Sequence, residues 1–172
     1  DGNMAIGFFQ TDGVRHRLID YYENSGESFP HYAKYLQDLG CIYGGHYLPH
    51  DADHKTFRMA GSVVTDANEL LKGEVYLVPR VKDKKIGIAA VRAILSSCWI
   101  DSGQCDVGVK HLDNYRKEWN EQLGCWRDVP RHDAAARGAD AFMQFAQSYR
   151  PEDSNSSYVE LEYDDDWSDN DI

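Results

Sequence analysis

No stretch of the chain approaches the roughly 20 apolar residues that a membrane-spanning helix needs, and no basic-then-apolar leader opens it. Its four cysteines, Cys41, Cys98, Cys105 and Cys125, contain no CxxC pair. That spacing excludes a zinc finger, and the cysteines are too sparse for a disulfide scaffold. Reduced, mostly buried thiols in a cytosolic protein are the expectation. The sequence also lacks Walker A, GxSxG, HExxH and GxGxxG patterns, so this chain alone is not expected to hydrolyse ATP through a P-loop. There is no Lys or Arg from Glu152 to Ile172, where nine acids stand.

That last absence changes the meaning of the net charge of −11. Residues 1–151 alone hold 20 acids and 18 bases, so the acidity is a property of the tail and does not argue against a nucleic-acid partner. Rich in Ser, Asn and Asp, residues 151–172 are expected to form an acidic disordered tail. Residues 1–150 are expected to form one domain, for which an apolar fraction of 42% and eleven tyrosines are sufficient. The chain opens without Met, directly into the apolar run Met4 to Phe9, and reads as an excised piece of a longer protein.

Strands are expected at residues 4–10 and 15–23, joined by a hairpin at Gly13. Ser28 caps a helix that carries Pro30 in its first turn and stops at Gly40. A strand at 42–48, a short helix at 67–72 and a strand at 74–78 follow. Helical spacing then predicts helices over 84–98, 105–122 and 140–149. A hairpin followed by alternating helices and strands fits an α/β fold with a mixed central sheet, an antiparallel strand meander and helices on both faces. The ribonuclease H-like fold has this layout, although element order does not single it out.

The densest group of chemically capable side chains follows the strand that ends at Pro49: His50, Asp51, Asp53 and His54. An acid just past a strand is well placed to hold a hard cation such as Mg²⁺, although Asp51 equally suits an Asx-type turn. His46, His50 and His54 recur at helical spacing, but Pro49 disfavours helix there, so a zinc ladder is not expected. Asp140 follows Gly138 at the expected start of the last helix, where the helix dipole also favours an anion. Asp133 is its neighbouring candidate. Lys82, Lys84 and Lys85, with Arg80, Arg92, Arg116, Lys117, Arg127, Arg131 and Arg137, supply cations that either track phosphates or form an ordinary solvated face.

Four segments, in order, resemble the C-terminal nuclease domain of tailed-bacteriophage terminase large subunits. They are Ile19-Asp20-Tyr21-Tyr22-Glu23-Asn24-Ser25-Gly26, Gly45-His46-Tyr47-Leu48-Pro49-His50-Asp51-Ala52, Asn114-Tyr115-Arg116-Lys117-Glu118-Trp119, and His132-Asp133 through Gly138-Ala139-Asp140-Ala141-Phe142. The resemblance covers about residues 1–147; each segment is weak alone and the ordered set is specific. It implies a ribonuclease H-like, metal-dependent endonuclease that cuts concatemeric double-stranded viral DNA during packaging, with two Mg²⁺ or Mn²⁺ ions.

By the same resemblance, Asp51 and Asp140 are metal ligands and catalytic positions. The third acid, on the first strand, would precede residue 1, leaving Asp1 as a more distant supporting acid. Arg137 stands where some relatives carry His and would contact DNA, with Lys82, Lys84 and Lys85. The implied partners are DNA, an upstream ATPase domain of the same parent chain, the portal and the small terminase subunit. The implied location is the host cytoplasm and, transiently, the procapsid portal, with no membrane. Two alternatives remain open at this stage. One is a non-catalytic DNA- or portal-binding module, inactive because the first-strand acid is missing. The other is a ribonuclease H-like nuclease of another role, such as junction resolution.

Overall fold

The computed structural model describes residues 3–53, 62–131 and 133–148. Strand β1 (Asn3–Thr11) pairs antiparallel with β2 (His16–Ser25), as the hairpin pattern predicts. Gly13 takes a positive φ of 90° in the turn. The carboxylate of Asp12 accepts the backbone N–H groups of Arg15 at 2.8 Å and Val14 at 3.1 Å. Those bonds, with the Arg15 guanidinium beside them, pull the Asp12 pKa down to about 2.

Between Phe8 and Phe9 the register shifts, so that Leu18 and Asp20 oppose consecutive residues of β1 and Ile19 is the extra residue of a bulge. The bulge resets the alternation of β2. Leu18 and Tyr21 pack on one side, against Phe9, Val109, Leu112 and Phe142. Tyr22 turns to the other side and stacks on Tyr35 of helix α1 (Phe29–Asp38) at 3.9 Å between ring centroids. Helices therefore lie on both sides of this sheet, although the described strands fall into separate sheets and not the one central sheet expected.

Strand β3 (Gly45–Pro49) ends at the proline, as predicted, and a 3-10 turn, His50–Asp53, follows. Helix α2 (Val63–Leu70) begins earlier than its apolar spacing suggests, because the Ser62 hydroxyl accepts the Thr65 N–H and caps it. Strand β4 (Glu74–Val78) runs parallel to β3. Phe29, Ala33 and Ala67 form a core with Met4, Leu48, Val63 and Val75 packed on it, joining α1 and α2 to β1, β3 and β4.

Helix α3 (Lys84–Leu95) is capped by the Asp83 carboxylate, which accepts the Lys85 N–H at 2.8 Å. It stops short of the expected Cys98, because Cys98–Ile100 form strand β5, parallel to β2. Helix α4 (Asp106–Asn114) is also shorter than expected. Tyr115 leaves helical geometry, and β6 (Lys117–Asn120) pairs antiparallel with β7 (Cys125–Pro130). The Asn120 carboxamide accepts the N–H groups of Gln122 and Leu123, and Gly124 has a φ of 60°, which together make the turn.

The described strands thus form three sheets, β1-β2-β5, β3-β4 and β6-β7, in a mixed α/β protein with five helices. Helix α5 (Ala134–Ser148) starts six residues before Asp140, so Asp140 lies in its interior and the expected capping role is corrected. Asp133 stands at the helix start instead, accepting the Ala136 N–H at 3.3 Å. Asp1, His54 and the acidic tail lie outside the described residues.

All four cysteines are free, but Cys41 and Cys125 are exposed and Cys98 is half-buried, so the expectation of mostly buried thiols holds only for Cys105. Burial pushes the Cys105 thiol up to about 11. An unfolded thiol ionises near 9.0, so this contribution to stability is intact below that pH and is lost as pH rises towards 11. Thiol labelling of the native chain is expected to modify Cys41 and Cys125 rapidly and Cys105 only on unfolding. Phe142 is 2% exposed and meets Phe9 edge-on, so Phe142→Ala is expected to cost about 3–5 kcal/mol, read by denaturant unfolding.

Candidate active site

Helix α5 packs on β1, β3 and β4, and also on α3 and α4. The helix that carries Asp140 therefore touches the strand that delivers Asp51 to the rim. Asp51 is exposed in the 3-10 turn after β3, while the next residue, Ala52, is buried and anchors the turn.

Asp140 has a specific partner. Lys84 Nζ, in the first turn of α3, lies 2.9 Å from Asp140 Oδ1 and donates to Oδ2 at 3.2 Å. Asp140 Oδ1 is withdrawn from solvent and receives no well-directed hydrogen bond. The same ammonium lies 5.8 Å from the centroid of the Tyr115 ring, a cation–π contact. Tyr115 Oη is also out of solvent, with the Lys84 ammonium as its hydrogen-bonding neighbour; Gln144 Oε1, one helical turn beyond Asp140, is out of solvent without a directed hydrogen bond. Burial works against the Lys84 charge, but the hydrogen bond and charge of Asp140 prevail and its pKa is raised. Burial is also the main cause of the raised Tyr115 pKa; nearby Lys84 opposes it and Asp140 adds to it.

A second polar group ties β2 to α4. His111 Nε2 lies 2.8 Å from Glu23 Oε2, and the Tyr21 hydroxyl donates to the same oxygen at 2.7 Å. Gly138 of α5 is pressed against this imidazole; a Cβ there would lie 2.6 Å from His111 Cβ. Burial, reinforced by the Glu23 bond and charge, raises the Tyr21 pKa, and Arg137 nearby works against it.

Of the expected site residues, the structure brings Asp140 and Lys84 into direct contact. Lys84 was expected on the DNA-tracking face and is found on the carboxylate instead. Lys82, Lys85 and Arg137 are exposed. His46 Nε2 lies 2.9 Å from the Lys72 carbonyl oxygen, which ties that ring to the chain and away from a histidine ladder. Tyr115 and Gln144 were missed as site residues. Gln144 had one signal, a polar residue four positions after Asp140, on the same helical face.

The donor chemistry suits a hard divalent ion, since Asp140 Oδ1 is an anionic oxygen without a directed hydrogen bond. No group of three or more His, Cys, Asp or Glu side chains able to hold a metal comes together among the described residues. Compared with known proteins, the chain matches no family model, no curated protein and no solved structure.

Both members of the Lys84–Asp140 pair are about two-fifths exposed, with side-chain accessibilities of 39% and 41%. Such a pair contributes about 0–1 kcal/mol. Asp140→Ala and Lys84→Met are each expected to change the unfolding free energy by no more than about 1 kcal/mol in urea titrations, well below the cost of a core truncation.

Proposed function

We propose that the chain is the nuclease domain of a tailed-bacteriophage terminase large subunit, with a ribonuclease H-like arrangement, and that it cleaves concatemeric double-stranded DNA during genome packaging. The observation that carries this reading is the packing of α5 on β3, which puts the helix of Asp140 against the strand leading to Asp51. The four ordered sequence segments support it. So does the Asp140 oxygen, which is held out of solvent with only an ammonium beside it.

On this reading Asp51 and Asp140 hold Mg²⁺ or Mn²⁺, with a third carboxylate supplied from upstream of residue 1 in the parent chain. Ions held there would supply Lewis acidity, lowering the cost of deprotonating water and offsetting charge on the scissile phosphate. The protein's part is to fix the two carboxylates on packed, rigid elements so that no reorganisation is needed during reaction. Lys82, Lys85 and Arg137 hold the duplex by its phosphates, without reading sequence. The ATPase domain, portal and small subunit are partners of the parent protein.

A second reading, a DNA- or portal-binding module that does not cut, is favoured by the Lys84 occupancy of Asp140. The two separate in a plasmid cleavage assay with Mn²⁺, run on this chain and on a version extended upstream through the start of the first strand. The nuclease reading expects cleavage by the extended version, abolished by Asp51→Ala or by Asp140→Ala with the circular dichroism spectrum unchanged. Full activity in either variant sinks it. In binding titrations across salt concentrations, Lys82→Ala and Lys85→Ala are each expected to weaken DNA binding uniformly across sequences and reduce the salt slope by about 1.

A further inference from the structure

We propose that the exposed face of α3 is a docking surface for the chain's own acidic C-terminal segment, Tyr158 to Asp164, which covers Lys85 and so competes there with DNA phosphate. The docking is independent of the nuclease reading; the competition rests on that reading's assignment of Lys85 to the duplex.

Helix α3 turns one side to the core and leaves the other bare. Val91 and Ile94 pack on the cluster around Phe142, and Gly87 is pressed against α5. The opposite side exposes Lys85, Ile86, Ala89, Arg92 and Ala93, which recur at helical spacing. No acid stands anywhere on α3. Among the described residues neither Lys85 nor Arg92 has an ion pair, whereas Lys34 and Lys110 each hold an acid one turn away. An exposed apolar strip beside two cations suits an occupant that brings apolar groups and carboxylates together.

The C-terminal segment has that composition. Val159, Leu161 and Tyr163 alternate with Glu160, Glu162 and Asp164, and no Lys or Arg stands from Glu152 onwards. The end of α5 delivers the chain to this side of the molecule. A Cβ on Gly87 would lie 2.5 Å from Gln147 Nε2, in the last turn of α5, so the chain leaves that helix beside α3. Glu160 follows Ser148 by twelve residues, a reach of about 40 Å, and α3 is only about 18 Å long. A segment tethered this closely is present at roughly millimolar effective concentration, so weak ion pairs and one apolar contact suffice to hold it. A separate acidic chain lacks that advantage.

The test is zero-length carbodiimide coupling of the whole chain at low ionic strength, without metal or DNA. An equal mixture of ¹⁵N-labelled and unlabelled chains is used, and the joined peptides are mapped by mass spectrometry. The reagent links a lysine amine to a carboxylate in contact with it. Lys85 is expected to couple to Glu160, Glu162 or Asp164 of its own chain, about fivefold more than the exposed Lys72 does. The triple variant Val159→Ser, Leu161→Ser, Tyr163→Ser keeps every acid and should reduce Lys85 coupling to the Lys72 level. It should also bind duplex DNA about fivefold more tightly than the unaltered chain, the scale of one or two exposed ion pairs released. Ile86→Ser, which alters the helix side of the contact, should lower the coupling in the same way, with circular dichroism as the check on folding.

Tail coupling spread evenly over Lys72 and Lys85, coupling at Lys85 that survives the serine variant, or coupling only between labelled and unlabelled chains overturns the docking. Docking with DNA affinity unchanged in the serine variant overturns the competition alone. The nuclease reading stands or falls separately, on the plasmid assay with Mn²⁺.

Discussion

The last helix lies where it does because one of its faces is almost without side chains. Ala135, Ala136, Gly138 and Ala139 are all buried, and a single added carbon at Gly138 would run into His111. Such a face lets α5 approach α4 closely, while Phe142 and Met143, further along, fill the space against β1 and α3. Close packing of this kind transmits position. The same contact surface sets where Asp140 stands relative to the strand ends and how near it comes to Lys84. The Glu23–His111–Tyr21 bonds hold β2 to α4 from the other side, so the hairpin, α4 and α5 locate one another.

Charge is distributed unevenly around this framework. The body of the chain is nearly neutral and the excess of acids is concentrated in the last residues, so exposed lysines and arginines coexist with an acidic total. At the centre of the candidate site, one cation neutralises one acid, over an aromatic ring. The nuclease reading and its non-catalytic rival both begin from this same Asp140.

Much of the framework was legible from residue order. Gly13 marked the hairpin, Pro49 marked the end of β3, and Ser28 and Gly40 bracketed α1, although the Ser28 side chain makes no capping bond. The misreadings have physical causes. Val109, Leu112, Tyr115 and Trp119 keep helical spacing past the end of α4, but Asn120 and Gly124 make a turn that draws Lys117–Asn120 into a strand instead. Gly138 looked like a helix boundary because glycine is a poor helix former; its small size is needed for His111, and the alanines before it extend the helix. That error placed Asp140 at a cap when it lies mid-helix. Its pairing with Lys84, 56 residues away, arises only when α3 and α5 pack, and no local pattern announces it.

The central claim is that Asp51 and Asp140 belong to one metal-binding carboxylate site. A crystal structure of the upstream-extended chain soaked in Mn²⁺, with anomalous scattering used to locate the ions, tests it most directly. The expected result is ions within ligand distance, about 2.1 Å, of oxygens from both carboxylates. Manganese bound elsewhere, or Asp51 and Asp140 too far apart to share a pair of ions, would contradict it.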